Sequence, residues 1–369
     1  MDLDDILFHL GEDYSENPHP GSAPIYQSSN FLFPTVADMQ KALAKEDQIP
    51  FYTRGTNPTV QLLCRKLAAL ERTEGALAFA SGSAAIAAAI LSSLKKGGHV
   101  LCSTNPYSWT KKLLTHWVTQ FDIEVSFFSK EKGFSTLIKP NTCLIFVESP
   151  NSWTFEEISA EAITQYGKEH GITTILDNSY SSPIVMQGGA LGFDITVHAA
   201  TKYIGGHSDV VAGILCASEE KIASIFDKEY MLLGGILSPF DAWLLLRSLK
   251  TLPVRMERIK KTTALVTSWL RKHPKIKKLY YPENGGTGLF SIDLDTDQTG
   301  VEVFCNALRK FRLGPSWGST DSLVFPALAT LNSRNYHHRE IVIERIRLSV
   351  GLENPDTLIA DLKQALGLI

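Results

Sequence analysis

The spacing of apolar residues changes along the chain, and each change marks an element. From Asn57, NPTVQLLCRKLAALERTEG has helical apolar spacing and ends at Gly75. ALAFA follows as a short strand, SGS as a turn, and AAIAAAILSSLKKGG as a helix stopped by Gly97-Gly98. HVLCS, EVSFFS, CLIFVES, TTILDNS, DITVHAA and VVAGILCAS read as further strands. Helical runs separate several of them, KKLLTHWVTQF and SAEAITQYGKEHG among them. Short apolar strands alternating with helices predict an α/β domain with a mainly parallel sheet. Ligands of such sheets bind at the carboxyl ends of the strands.

The pattern differs at both ends. Before about Pro34 there is little periodicity, and Pro18, Pro20 and Pro24 mark an extended arm. VADMQKALAKED then predicts a short amphipathic helix. After Pro239, SPFDAWLLLRSLKTLPVRMERIKKTTALVTSWLRKH is helix-rich. The strands LFSIDL and ERIRLSV and the helices VEVFCNALRKF and PDTLIADLKQAL follow. These predict three parts: an arm over residues 1–52 that packs on a neighbouring subunit, a large domain over 53–245, and a smaller α+β domain over 246–369.

Composition narrows the classes. The chain has 369 residues, 44% hydrophobic and 20% charged, enough apolar material for a core of this size. With 36 basic and 39 acidic side chains its net charge is −3, which excludes nucleic acid as the main partner. The acidic N-terminus does not resemble a secretory signal. The most apolar run, ALAFASGSAAIAAAILSSL, is broken by Ser81-Gly82-Ser83 and is a poor membrane span. The five cysteines form no CxxC and predict free thiols in a reducing cytoplasm. No metal site is expected, because His337-His338 are merely adjacent in a polar loop.

Three features at strand ends carry candidate chemistry. Asp177 ends TTILD, Lys202 follows DITVHAAT, and Ser81-Gly82-Ser83 opens a helix. Singly each has an ordinary explanation: a solvated carboxylate, a surface lysine, an N-cap serine. Together they suit pyridoxal 5′-phosphate. That cofactor needs a lysine for a Schiff base with its aldehyde and a carboxylate to keep its ring nitrogen protonated. Its phosphate needs N–H groups at a helix N-terminus, and Thr201 offers a further hydroxyl.

The strings YTRGTNPT, ASGSAAI, ILDNSYSSP, HAATKYIGGHSDVVAG, LSPFDAWLLLRSLKTLPVRMER and RLSVGLE occur in one order along nearly the whole chain. In this the sequence resembles the Cys/Met-metabolism, or transsulfuration, family of pyridoxal-phosphate enzymes. That family includes the cystathionine lyases, cystathionine γ-synthase and methionine γ-lyase. The resemblance implies the fold-type I architecture, a large cofactor domain and a small C-terminal one. It implies that Lys202 binds the cofactor and moves the proton, that Asp177 meets the ring nitrogen, and that Gly82, Ser83 and Thr201 hold the phosphate. Tyr52 and Arg54 would reach the phosphate of a neighbouring subunit, so active sites would be shared in a homo-oligomer, a tetramer built as a dimer of dimers. Tyr107 would stack on the ring and serve in acid–base steps. Arg347 would clamp the substrate carboxylate, a task its planar fork suits, with Ser316 nearby. Arg345, on the same strand face, would be its ordinary counterpart.

The sequence departs from the family pattern at several points. Ala199 replaces a serine that contacts phosphate. The run ESPNSW puts Ser152 where an asparagine would meet the ring hydroxyl, and leaves Asn151 as a substitute for that contact. Ser108-Trp109 follow Tyr107 where small residues are usual, which would narrow the pocket. ESP-x-S and AATK lean toward the β-lyases. The expected function is a carbon–sulfur lyase acting on cystathionine or a related amino acid. One alternative is γ-replacement on an O-acylated homoserine, and another is a non-catalytic scaffold that keeps only the fold.

Overall fold

The computed structural model describes residues 1–12, 20–282, 286–334 and 341–369; the His337-His338 pair and Pro18 lie outside them. A seven-stranded sheet forms the centre. Its strands are β1 (Gly75–Phe79), β2 (His99–Ser103), β3 (Glu124–Phe128), β4 (Thr142–Glu148), β5 (Thr173–Asp177), β6 (Ile195–Ala199) and β7 (Gly213–Ala217), in the order β1-β7-β6-β5-β4-β2-β3. All the pairings from β6 through β3 are parallel, and β7 alone runs against its neighbours β6 and β1. Parallel strands of this kind are covered on both faces, which is why β2 and β4 are buried at every position.

Helices α1 (Val36–Leu43), α2 (Pro58–Glu71), α3 (Gly82–Leu91), α4 (Ser108–Lys112) and α5 (Ala160–His170) belong to this half of the chain. The run after α4 is helical but irregular, with a π-turn at Leu113–Trp117 and a 3-10 turn at Val118–Phe121. Near the start, Asp5–His9 forms a π-turn that the apolar pattern does not show. It buries Ile6 and Leu7, and the buried Lys66 ammonium donates to both of their carbonyls at 3.1 and 3.0 Å. Residues 20–35 form no helix or strand beyond a single bridge between Asn30 and Tyr52, and Leu32 is 90% exposed.

A second sheet has the order β10-β11-β12-β9-β8. Its strands are β8 (Ile276–Tyr280), β9 (Leu289–Leu294), β10 (Arg312–Leu313), β11 (Leu323–Pro326) and β12 (Arg345–Ser349). Helices α6 (Pro239–Leu249) and α7 (Leu252–Leu270) lead into it, and α8 (Gln298–Ala307) and α9 (Pro355–Leu366) complete it. Residues 245 and 246 sit within α6, which packs on α2 of the first half. In β12 the sequence RIRLS alternates. Ile346 and Leu348 join the apolar cluster under α7, α8 and α9, so Arg345, Arg347 and Ser349 project from the other face. That alternation turns two arginines of this sheet away from its own core.

Candidate active site

The carboxyl ends of β4, β5 and β6, the N-terminus of α3 and the strand β12 border a cavity of about 560 Å³. Of the expected residues, Gly82, Ser83, Tyr107, Asp177, Thr201, Lys202 and Arg347 line it. Ser316 meets Lys202, whose Nζ donates to Ser316 Oγ at 2.9 Å. Tyr52 and Arg54 lie outside this cavity within the one chain. Tyr52 is 41% exposed, and the Arg54 guanidinium sits 5.4 Å from its ring centroid.

Lys202 comes just past β6, where the chain turns back on itself. Gly318 makes that turn possible from the opposite side. Its φ is +82°, and a Cβ there would meet Tyr203 N at 3.0 Å and the Lys202 carbonyl carbon at 3.2 Å. The Lys202 Nζ also lies 5.1 Å from the centre of the Trp317 ring. Burial and then the Arg347 charge push the Lys202 ammonium down to about 8, against a smaller upward pull from Asp177.

Asp177 ends β5 and is buried. Its Oδ1 accepts from the Ser179 hydroxyl at 2.6 Å and from the Ser179 N–H at 3.0 Å. The same hydroxyl accepts from Ala199 N–H at 2.6 Å. Ser179 therefore fixes the carboxylate against the strand that delivers Lys202. Sequence reasoning did not single it out, since DNS carries no signal beyond its turn-forming character.

At α3, Ser81 is the N-cap, and its Oγ accepts from Ala84 N–H at 3.1 Å while its carbonyl accepts from Ala85 N–H. Gly82 and Ser83, whose N–H groups come ahead of these and have no intrahelical acceptor, line the cavity. A Cβ on Gly82 would lie 2.8 Å from the Ala199 Cβ, so glycine lets the helix end seat directly on β6. An anion fits there, with the helix dipole in its favour. The Thr201 hydroxyl is nearby but engaged: it donates to Ala212 O at 3.2 Å and accepts from Ala212 N–H at 3.0 Å.

Arg347 is 7% exposed, not a surface arginine. Its guanidinium packs 4.9 Å from the Trp153 ring centre and 5.2 Å from that of Phe325. It donates to the carbonyls of Pro315 at 3.2 Å and Ser152 at 3.4 Å. These contacts hold a planar fork open toward the cavity without neutralising it. Arg345 differs by partner: its Nε and Nη2 donate to the two oxygens of Asp293 at 2.7 and 2.9 Å. Register places the two residues opposite each other, so Arg345 serves the sheet.

Two expectations about the departures change. Asn151 does not stand in for the missing asparagine. It is buried, and its Oδ1 accepts from the N–H groups of Trp153, Thr154 and Phe155, which makes it a turn cap. Trp109 does not narrow the cavity within this chain. Ser108 lines it, whereas Trp109 turns aside under the Lys112 ammonium, 5.3 Å from its ring centre.

Glu148 was not singled out, although it closes an apolar strand as Asp177 does. It is buried, lines the cavity, and pairs in register with Asp177 on the next strand. Its Oε2 accepts from Tyr107 N–H at 2.5 Å. Burial, then the neighbouring Asp177 charge, raises the Glu148 carboxyl to about 8, and burial raises Asp177 as well. The Ser179 hydrogen bonds oppose that rise at Asp177, and those of Tyr107 and Ser152 oppose it at Glu148.

A lysine with a lowered ammonium, a hydrogen-bonded buried carboxylate across from it and an open helix N-terminus together fit pyridoxal phosphate. The family model for Cys/Met metabolism pyridoxal-phosphate-dependent enzymes matches residues 5–367. The chain belongs to that family. An L-alanine/L-glutamate racemase of Wolbachia pipientis wMel is 34% identical, the alignment covering 99% of this chain and 97% of that one. A cystathionine β-lyase of Bordetella avium is 32% identical, over 99% and 97%. A solved structure described as an O-acetylhomoserine (thiol)-lyase from Campylobacter jejuni subsp. jejuni superposes with a TM-score of 0.92 and 27% identity, over 100% of each chain. That structure contains N′-pyridoxyl-lysine-5′-monophosphate. This member of the family is a fold-type I, pyridoxal-phosphate-dependent enzyme. Among the described residues no group of His, Cys, Asp and Glu could hold a metal, and no helix is long and apolar enough to cross a membrane.

Proposed function

We propose that the enzyme eliminates a thiol from cystathionine or a related sulfur amino acid. The observation that carries this is the convergence of Lys202, Asp177 and Arg347 on one cavity. Pyridoxal phosphate, when bound, supplies an aldehyde for amines and a ring that takes up the electron pair left when the substrate Cα–H bond breaks. Gly82 and Ser83 hold its phosphate, and Asp177 keeps its ring nitrogen protonated. Arg347 grips the substrate α-carboxylate in bidentate fashion, with Ser316 beside it. Lys202 Nζ takes the Cα proton, and the Tyr107 phenol gives a proton to the departing sulfur. Ala199 and Ser152 favour the β-lyase form of this reaction.

A second reading is γ-replacement on an O-acylated homoserine, favoured by the superposition on the Campylobacter jejuni structure. One substrate panel tests both. Cystathionine yielding pyruvate supports β-elimination, and 2-oxobutanoate supports γ-elimination. Turnover only with cysteine plus an O-acylated homoserine rejects the lyase. Chiral analysis of alanine and glutamate belongs in the panel, because racemisation starts with the same Cα proton and the Wolbachia relative is a racemase.

In the same reading the enzyme is a cytoplasmic homo-oligomer with shared sites, a dimer of dimers. Five free thiols support a reducing compartment. The arm of residues 1–52 with Tyr52 and Arg54 completes the phosphate site of a neighbour, residues 53–245 hold the cofactor, and 246–369 supply Arg347. The exposed Leu32, Val36 and Tyr52 support an arm with a partner. Mixing Tyr52→Phe with Lys202→Ala subunits, each inactive alone, restores activity if sites are shared; silent hybrids reject the sharing.

A further inference from the structure

Glu148 is a buried ionisable group that the reaction above does not use, yet it links β2, β5, the head of α4 and the turn after β4 at the cofactor cavity. Through its Oε2 it receives the N–H of Tyr107, the N-cap residue of α4. Through the Ser152 N–H and hydroxyl it receives the turn after β4. That turn gives Arg347 one of its carbonyl acceptors. Its own N–H donates to Ser103 Oγ at 2.9 Å, which ties it to β2. In register it stands beside Asp177. The groups facing it are Asp177 from β5, Arg347 from β12 and the Cys102 thiol from β2, with Tyr107 at the head of α4 and Lys202 beyond Asp177.

Two neighbouring buried carboxylates cannot both stay ionised without cost. Asp177, as the partner of a protonated ring nitrogen, would stay anionic, and Glu148 would then hold the proton. As a neutral acid, Glu148 presents one oxygen that accepts and one O–H that donates. That O–H would donate to the Ser152 hydroxyl in place of accepting from it, leaving the Ser152 hydrogen available to the cavity that Ser152 lines. Ser152 stands where the sequence departs from the family's asparagine, so a donor aimed into the cavity there replaces part of an amide's role.

We infer that Glu148 is a positioning residue that acts as a neutral carboxyl, fixing the Tyr107 loop and turning the Ser152 hydroxyl toward the cofactor. The inference rests on the cofactor site and holds whichever substrate the enzyme takes.

Glu148→Gln and Glu148→Ala test it by pyridoxal phosphate titration of the apoenzyme, followed by absorbance at pH 7. Glutamine accepts through Oε1 and donates through Nε2, as a neutral carboxyl does. It should keep the cofactor Kd within about threefold of the wild type. Alanine leaves Tyr107 N–H and Ser152 without their partner and should weaken the Kd by about tenfold or more. The holoenzyme absorbance, followed from pH 6 to 9.5, should lose one titration step in Glu148→Gln. The inference is overturned if glutamine binds as weakly as alanine, since the charge would then be what matters. An alanine variant that binds like the wild type overturns it too, as does a Glu148→Gln pH profile that superimposes on the wild type. If the alanine variant does not fold, the glutamine variant decides through its Kd and pH profile. The readout is cofactor binding, so a wrong substrate assignment leaves the test intact.

Discussion

The Lys202 amine should be reactive near neutral pH before any cofactor arrives, and Arg347 should be part of the reason. Burial and the Arg347 charge bring its ammonium from 10.5 down to about 8. At pH 7 the neutral fraction is then about 9%, against about 0.03% for an unperturbed lysine, a gain of about 300-fold in free amine. Replacing Arg347 with methionine keeps an unbranched stem between Trp153 and Phe325 but removes the cation. The loss of a nearby like charge should lower the free amine at pH 7 by roughly tenfold. Trace labelling of the apoenzyme with acetic anhydride between pH 6 and 10 reads this directly. Mass spectrometry compares the Lys202 peptide with one carrying an exposed lysine such as Lys41. Lys202 labelling should rise to a midpoint near 8 in the wild type and move to higher pH in Arg347→Met. A Lys202 that labels in step with Lys41 refutes the burial argument, and a midpoint unmoved by Arg347→Met refutes the role of its charge.

Three further outcomes follow from the same geometry. Glu71 holds the His198 Nε2 at 2.5 Å, the Asn178 amide at 2.9 Å and the Gly188 N–H at 2.7 Å, all buried. Glu71→Ala should therefore cost about 3–5 kcal/mol in urea unfolding, and a loss under about 1 kcal/mol would show that the network relaxes freely. The two arginines of β12 should separate by assay: Arg345→Met lowers Tm because Asp293 keeps the Tyr280 hydroxyl but loses its cation, whereas Arg347→Met raises KM and moves Tm by less than Arg345→Met does. Apoprotein stability should fall as pH rises from about 4.5 to about 8. In that window folded Glu148, its carboxyl raised from 4.5, holds a proton that the unfolded chain has already released. From about 8 to about 10.5 Lys202 acts oppositely, because the unfolded chain binds the proton that the folded amine lacks, so stability recovers. Chemical denaturation across pH should show that dip, and Glu148→Gln should flatten its acid side.

Much of the site could be read before the structure because its chemistry sits at the ends of strands. An apolar run followed by Asp177, or by Thr201-Lys202, marks both an element and its exit. Glu148 closes a strand in the same way, but a buried partner on the next strand gives it meaning, and pairing is not visible in one run. Asn151 and Trp109 were misread for a related reason. Both sit beside site residues in sequence, yet hydrogen bonds of the local turn and a neighbouring ammonium, not sequence position, set their directions. The π-turn at Asp5–His9 had no periodic signal because it is held by the Lys66 ammonium of a distant helix.

By itself the sequence determined the alternation of strands and helices, the mainly parallel sheet, the N-cap at Ser81 and the set of groups suited to pyridoxal phosphate. These are local properties: apolar period, capping and residue type act over a few positions. Only the tertiary structure decided which groups meet. Arg345 and Arg347 share a strand and a face, yet one pairs with Asp293 and the other is stacked between Trp153 and Phe325. Lys202 is a poised amine because a distant strand brings Arg347 near it and burial removes water from it. Proximity and desolvation depend on residues far apart in the chain, and those are fixed only when the two sheets pack.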